Sequence, residues 1–418
     1  MPRARALLFS LSLLASPAAQ DRAPHRCVPA ALKLLDGAPV TTAAQWRDRR
    51  RPELLELFRR HVYGRAPAPT KVQIEARDVG PALDGAAIRK QWRVRYADDP
   101  SAVIEVLAYL PRDAAGPTPV FLAWNFDGNH TVQSDPSIRI ASCWVRNNKS
   151  FGAQGHRAAE AGRGKKARRW PVKVLLQRGY GLVTACYGDI DPDFDDGFAN
   201  GAHGALEDLE SGRPRPDDAW GAIGAWAWGM SRILDSLALD DDFDAAQVAA
   251  LGHSRLGKTA LWAGAQDERF WMVISNDSGC GGAAYSRRKQ GETVAVINKN
   301  FPHWFCRRFR DYSGREQDLP VDQHLLIALC APRPVYVASA AQDAWADPAG
   351  EFLSALGADP VYRLLCDDGL PVREMPEADT PAHGRIGYHV RSGKHDLLLA
   401  DWEHYLDFAD RHRRAEGR

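Results

Sequence analysis

A serine near the middle of the chain lies where a nucleophile could be exposed. Val248–Leu251 predicts a short buried strand, and the stretch from Arg255 to Leu261 predicts a helix, with Gly-His-Ser between them. A strand that enters a helix through a Gly-X-Ser turn presents the serine oxygen above the carboxyl end of a sheet. The first turn of that helix also points backbone amides at the place where an oxyanion would form. Ser254 is therefore the candidate nucleophile for acyl transfer.

The same turn has a second interpretation, because serine is also a common cap at the start of a helix. The pattern differs from the usual G-x-S-x-G, since the second glycine is Gly257 and Leu256 stands in its ordinary place. A nucleophilic serine also requires a base within hydrogen-bond reach and an acid that orients the base. The rest of the chain must therefore supply both groups.

The candidate base is His395. It follows a strand predicted at Ile386–Val390 and precedes the last predicted helix. Where a serine lies on such a strand–helix turn, the chain order is serine, acid, histidine, and the histidine comes late in the chain. His383 and His389 fit this position less well, because the first precedes the strand and the second lies within it.

Two aspartates are candidates for the acid. Asp343 follows the strand predicted at Pro334–Ala338, and Asp277 follows the strand predicted at Trp271–Ser275. Both lie between the serine and the histidine along the chain, as the expected order requires. Either carboxylate could reach His395, so the residues alone leave the choice open.

Strands and helices alternate along most of the chain. Further strands are predicted at Val72–Asp78, Lys90–Ala97, Ala102–Leu110, Pro119–Trp124 and Gly181–Tyr187, and helices at Pro52–Val62, Pro171–Gly179, Asp217–Leu237, Val321–Leu329, Ala349–Leu356 and Leu397–Arg411. This alternation predicts a mostly parallel, twisted sheet flanked by helices. Because α/β-hydrolases expose their serine on a Gly-X-Ser turn of this kind, we expect the three-layer α/β-hydrolase sandwich. We expect residues 20–418 to form one domain.

The N-terminus and the overall charge limit location and partners. Arg3 and Arg5 precede the apolar run Ala6–Ala15, and small residues follow, so residues 1–19 predict a signal peptide and export to the periplasm or the exterior. The 54 basic and 53 acidic side chains nearly cancel, which argues against nucleic-acid or membrane partners. Seven scattered cysteines leave at least one thiol unpaired. We expect a monomer without a metal or cofactor.

Two charged segments have no evident catalytic role. The basic stretch within residues 131–170 is either a solvated insertion or a contact surface for an acidic polysaccharide. The acidic run from Asp191 to Gly197 resembles a calcium loop, but its glycine falls at the seventh position and no glutamate follows at the twelfth. An EF-hand is therefore not expected there.

Three segments together resemble the glucuronoyl esterases of carbohydrate esterase family 15. They are the elbow Gly252–Lys258, the stretch Asn276–Ala283 and the stretch Gln342–Pro348. The resemblance covers essentially all of the chain after the predicted signal peptide. It implies hydrolysis of the ester that joins 4-O-methyl-glucuronic acid on xylan to lignin alcohols.

The resemblance also implies roles for individual residues. Ser254 would be the nucleophile and His395 the base, while Arg255 would support the oxyanion through its amide and its guanidinium. Sugar contacts would come from Lys258, Glu292 and Trp345. The position of Lys258, four residues after Ser254 on the same helix, independently suggests that it faces the pocket.

The chain departs from the family pattern in two places. Many members have glutamate where this chain has Asp277, and the shorter side chain favours Asp343 as the acid. Some fungal members have cysteines beside the catalytic serine and histidine, where this chain has His253 and Asp396. The bacterial type of the family is therefore the better match.

Two other functions remain as alternatives. An acetyl-xylan esterase or a general carboxylesterase would use the same triad but would not need Lys258 and Glu292. A non-catalytic carbohydrate-binding protein would need the pocket but not the serine, acid and histidine in their order.

Overall fold

A ten-stranded sheet forms the centre of the computed structural model, which describes residues 28–208 and 213–416. The strands are β1 Gln73–Ala82, β2 Ala87–Arg95, β3 Val103–Pro111, β4 Thr118–Asn125, β5 Gly181–Cys186, β6 Phe243–His253, β7 Met272–Asn276, β8 Val335–Ala340, β9 Ala382–His383 and β10 Ile386–Arg391. Their order across the sheet is β1-β2-β3-β5-β4-β6-β7-β8-β10-β9. The central run from β5 to β10 is parallel, and the strands at both ends pair antiparallel.

Helices cover both faces of this sheet. They are α1 Ala43–Gln45, α2 Arg51–Phe58, α3 Val172–Gln177, α4 Gly201–Leu206, α5 Ala222–Leu237, α6 Arg255–Gln266, α7 Val294–Asn300, α8 Gln323–Ala328, α9 Pro348–Cys366 and α10 Leu399–Glu416. The core on one face includes α5, α6, α8 and α9, whereas α3 and α10 pack on the other. Alternate residues of the buried strands supply the two cores. The predicted α/β-hydrolase sandwich is confirmed.

Several predicted helices have different bounds in the structure, and α5 and α9 are two of them. Helix α5 begins at Ala222 and not at Asp217, because the N–H groups of Ala222 and Ile223 donate to the backbone carbonyls of His303 and Trp304. This docking satisfies amides that a helix start leaves without partners. Helix α9 continues ten residues beyond the predicted end, through Pro360 to Cys366.

The basic stretch within residues 131–170 folds onto the domain as irregular chain with short 3₁₀ turns. Several of its cationic side chains are paired internally. Arg163 contacts Glu160, Lys166 lies 3.5 Å from a carboxylate oxygen of Asp127, and Arg168 and Arg169 both contact Asp396. Much of the positive charge that could attract an acidic polysaccharide is therefore neutralised within the molecule.

Other predictions concern the N-terminal segment and the cysteines. The predicted signal peptide and Cys27 lie outside the described residues. The six cysteines within the described part are free thiols. Across residues 28–208 and 213–416, no helix combines the length and the apolarity needed to cross a bilayer.

Candidate active site

The strand–turn–helix at Ser254 is formed as the sequence predicts. Ser254 has φ 60° and ψ −130°, a conformation that costs a non-glycine residue energy and is typical of a serine held on a sharp elbow. A Cβ added to Gly252 would lie 1.8 Å from the carbonyl oxygen of Leu256, so no other residue fits there. The tight approach of strand β6 to helix α6 thus holds the serine in place.

His395 lies beside this elbow and contacts one of the two candidate acids directly. Its Nδ1 is 2.6 Å from Oδ2 of Asp343 and 3.9 Å from Oδ2 of Asp277. The other oxygen of Asp343 accepts the backbone N–H of Ala346 at 3.3 Å, which fixes the carboxylate in its turn. The hydrogen bond at Nδ1 leaves Nε2 of His395 as the nitrogen that can exchange a proton with substrate.

Asp277 is close to the base but differs from Asp343 in its burial and its pKa. It is buried at a backbone φ of 46° and accepts the backbone N–H of Asp396 at 3.2 Å. Burial, followed by the charges of Glu351, Asp343 and Asp401, raises the pKa of Asp277 well above its usual value. Asp277 therefore holds its proton more readily than a free carboxyl group, whereas Asp343 is the acid that contacts the imidazole directly.

Among the described residues, Asp277, Asp343 and His395 form a group that could hold a metal ion. Their ligand atoms all lie within 4.8 Å of one another. A metal site would require both carboxyl groups ionised and the imidazole nitrogen free. Nδ1 of His395 is instead engaged by Asp343, and Asp277 favours its protonated form. The arrangement fits an acid–base role better than a metal centre.

Glu351 lies beneath the acids and was not anticipated from the sequence. One of its oxygens accepts the N–H groups of Ser278 and Gly279 at 2.8 and 2.9 Å, and the other accepts the hydroxyl of Ser339 at 2.6 Å. Burial is the main cause that raises its pKa to about 7. This side chain fixes the turn that begins with Asp277, and no spacing in the sequence connects it to that turn.

His253 packs its ring against the ring of His395 at 4.5 Å between centroids. Its Nδ1 lies 2.6 Å from Oδ1 of Asn276. Burial, followed by the charge of His395, lowers the pKa of His253 well below its usual value. His253 is therefore a neutral support for the base and not a second base.

Arg255 follows the serine as the first residue of helix α6. Its guanidinium is 4.9 Å from the ring centroid of Trp304, is also near Phe126 and Phe301, and forms an ion pair with Asp193. Its Nε–H has no hydrogen-bond partner within the described residues. An unpaired buried donor beside a nucleophile is suited to an anion that forms only during the reaction.

The residues with predicted sugar contacts lie close to one another. Nζ of Lys258 donates to the carbonyls of Ser278 and Cys280 at 2.5 and 2.7 Å and lies 3.4 Å from Glu292. Lys258 is only 3% exposed, so a sugar hydroxyl would have to replace one of these acceptors. Trp345 is 54% exposed, and its carbonyl accepts the N–H of Glu292 at 2.9 Å.

Comparison with known proteins gives consistent similarities. The model of the fungal glucuronyl esterase family matches residues 215–366. The carbohydrate esterase MZ0003, from an unknown prokaryotic organism, is 48% identical over 94% of this chain and 91% of its own length.

Two solved structures are similar over nearly the whole chain. A promiscuous CE15 esterase from a marine bacterial metagenome is 48% identical with a TM-score of 0.87, covering 94% of this chain and 98% of the other. A glucuronoyl esterase from Solibacter usitatus is 45% identical with a TM-score of 0.87, covering 93% and 98% of the two chains.

Proposed function

The chain belongs to carbohydrate esterase family 15, the glucuronoyl esterases, and we propose that it hydrolyses esters of 4-O-methyl-glucuronic acid such as those that join glucuronoxylan to lignin alcohols. It is a carboxylic ester hydrolase. The observation that carries the proposed chemistry is the 2.6 Å contact between His395 and Asp343 beside the strained elbow of Ser254.

In the proposed reaction Ser254 attacks the ester carbonyl while Nε2 of His395 takes the hydroxyl proton. Asp343 holds the imidazole in the required tautomer and stabilises the imidazolium. The backbone N–H and guanidinium of Arg255 stabilise the oxyanion. The imidazolium returns its proton to the departing alcohol, and a water activated by His395 then releases the uronic acid from the serine. The reaction requires no metal or cofactor.

Selectivity for a uronic acid comes from the side of the pocket that holds charge. Nζ of Lys258 lies 3.4 Å from Glu292, and in the proposed complex a sugar hydroxyl replaces one of the acceptors of Lys258 beside this carboxylate. Trp345 offers an exposed aromatic face at the rim. An acetyl-xylan esterase or general carboxylesterase would gain nothing from this pair.

The deciding experiment compares benzyl glucuronate with p-nitrophenyl acetate. We expect kcat/KM to be much higher for the glucuronate ester, and alanine at Lys258 or Glu292 to reduce that preference. Equal activity on both esters, with equal losses in the two variants, would show a general carboxylesterase. We further propose that the protein is exported and acts as a monomer on its polysaccharide substrate.

A further inference from the structure

The acidic run that begins at Asp191 contains a carboxylate at the edge of the active site. The side chain of Asp193 is completely buried and lies next to the guanidinium of Arg255. The positions of glycine and glutamate argue against a calcium loop here, and the proposed reaction assigns the run no role. Its central aspartate nevertheless contacts the residue that supports the oxyanion.

Five donors from separate parts of the chain surround this carboxylate. One oxygen accepts from Nε2 of His303 at 3.0 Å and from Nε1 of Trp304 at 2.8 Å. The other accepts from Arg146 at 2.8 Å, from the hydroxyl of Tyr187 at 3.1 Å, and from Arg255. Both oxygens therefore have more than one donor, and the carboxylate has little freedom to rotate.

The charge of Asp193 is maintained in spite of its burial. Burial alone would raise its pKa, but the hydrogen bond from His303, the charge of Arg255 and the contacts of Trp304 and Arg146 outweigh it and hold the pKa far below its usual range. A buried carboxylate is costly unless it is paired and hydrogen-bonded on every side. Asp193 meets this condition and is ionised at any working pH.

We propose that Asp193 is a positioning residue that holds the guanidinium of Arg255 in place for the oxyanion. Arginine has a long side chain that loses entropy when it is fixed, and an oxyanion donor is effective only if it is fixed before the charge develops. Asp193 engages Nη1 of Arg255 and leaves the Nε–H without a partner among the described residues. This inference depends on the proposed function of Arg255.

The test is a double-mutant cycle of Asp193→Asn and Arg255→Gln, with kcat and KM measured on benzyl glucuronate. The amide keeps the shape of the carboxylate but loses the charge that fixes Arg255. We expect Asp193→Asn to lower kcat about 10- to 100-fold with KM changed less than about twofold, since one oxyanion donor accounts for about 10²–10³ in kcat. In the Arg255→Gln background the same change should cost less than about threefold.

Additive losses in the two backgrounds, or a loss confined to KM, would overturn the proposal. The matched control is Asp359→Asn, which changes another buried carboxylate paired with two arginines, Arg363 and Arg373, but contacts no residue of the site. We expect it to destabilise the protein without changing kcat of the folded fraction. A comparable fall of kcat in Asp359→Asn would show that the effect of Asp193→Asn is not specific.

Tyr187→Phe tests the proposal if Asp193→Asn fails to fold. It removes one donor to Asp193 and keeps the ring in the core. We expect kcat to fall about two- to fivefold in the wild-type background and not in Arg255→Gln, and no change in either background would overturn the proposal.

All variants are also assayed on p-nitrophenyl acetate, because oxyanion stabilisation serves any ester. If the enzyme does not prefer benzyl glucuronate but the variants still lose activity on p-nitrophenyl acetate, the proposed substrate is wrong and the role of Asp193 stands.

Discussion

On the base side of the site, defined by His395, the carboxyl groups of Asp277 and Asp343 both face the imidazole, and the side chain of His395 is 41% exposed. On the oxyanion side, defined by Arg255, Asp193 is the one carboxylate among the described residues that pairs with the guanidinium, and its side chain has no exposure. The base side thus brings two carboxyl groups close to one imidazole, whereas the carboxylate that pairs with Arg255 is enclosed by donors. We infer that the base side tolerates changes of protonation and the oxyanion side does not.

The difference follows from the task of each group. A general base must gain and lose a proton in every cycle, so partial exposure and a second nearby carboxyl group are compatible with its work. A guanidinium that acts as an oxyanion donor is most effective when it is fixed before the charge develops, and a buried counter-charge such as Asp193 can fix it. The four predictions below test this contrast.

Removal of the nucleophile should have the largest effect, because both sides act through it. We expect Ser254→Ala to lower kcat by about 10⁴-fold or more with the fold intact. Circular dichroism and the thermal unfolding temperature check the fold, and benzyl glucuronate hydrolysis gives the rate. Retention of more than about a hundredth of the activity would show that Ser254 is not the nucleophile.

The two acids on the base side should have unequal effects. We expect Asp343→Asn to lower kcat by about 10³-fold or more, because the amide holds the imidazole in the wrong tautomer. Asp277→Asn should cost less than about tenfold, since its oxygen is 3.9 Å from Nδ1 and its protonated form already resembles an amide. Steady-state measurement of kcat for both variants shows which aspartate is the acid. A greater loss in Asp277→Asn would reverse the assignment of the acid.

Stability on the base side should depend on pH through Glu351. Its pKa is 4.5 in an ordinary environment and about 7 in the folded protein, so the folded state binds more protons between these values. The contribution of Glu351 to the free energy of unfolding therefore falls as pH rises from about 4.5 to about 7, by at most about 3 kcal/mol. Urea unfolding across this range should show a smaller fall in Glu351→Gln. The same slope in the variant and the wild type would contradict this origin.

The smallest effect is expected at the ion pairs of Asp396, which follows the base. Arg169 is 17% exposed and contacts Asp396 at 2.7 Å, whereas Arg168 contacts it at 2.6 Å but is 58% exposed. Because exposed ion pairs contribute little, we expect Arg169→Gln to lower kcat about three- to fivefold and Arg168→Gln less than twofold. Kinetics at low and high salt measures both. Equal effects would show that burial does not distinguish the two arginines.

The sequence predicted best what depends on neighbouring residues. The elbow, the strand before it and the helix after it are local, so Ser254 and its conformation follow from a short stretch. The alternation of strands and helices also resembles a known architecture, and it predicts a sheet between two layers of helices. Bounds were wrong where a helix docks on a distant segment, as α5 does on His303 and Trp304.

What depends on distant residues could not be predicted in this way. The pattern placed both aspartates near His395, but only the fold distinguishes 2.6 Å from 3.9 Å. Asp193 and Arg255 are 62 residues apart, and Glu351 reaches a turn 73 residues away. Lys258 was expected to face the pocket, and its burial among carbonyl acceptors depends on the turn that follows β7.

The stretch of residues 131–170 supplies an arginine to each side of the site, Arg146 to Asp193 and Arg169 to Asp396. It has little regular structure, which is a property of segments that open locally before the whole protein unfolds, and Val132, Ile138 and Trp170 anchor it in the core. A single local opening of this stretch would thus remove the contacts of Arg146 and Arg169 from both sides of the site together. Thermal inactivation should then precede the loss of the sheet, with a protease cutting this stretch first.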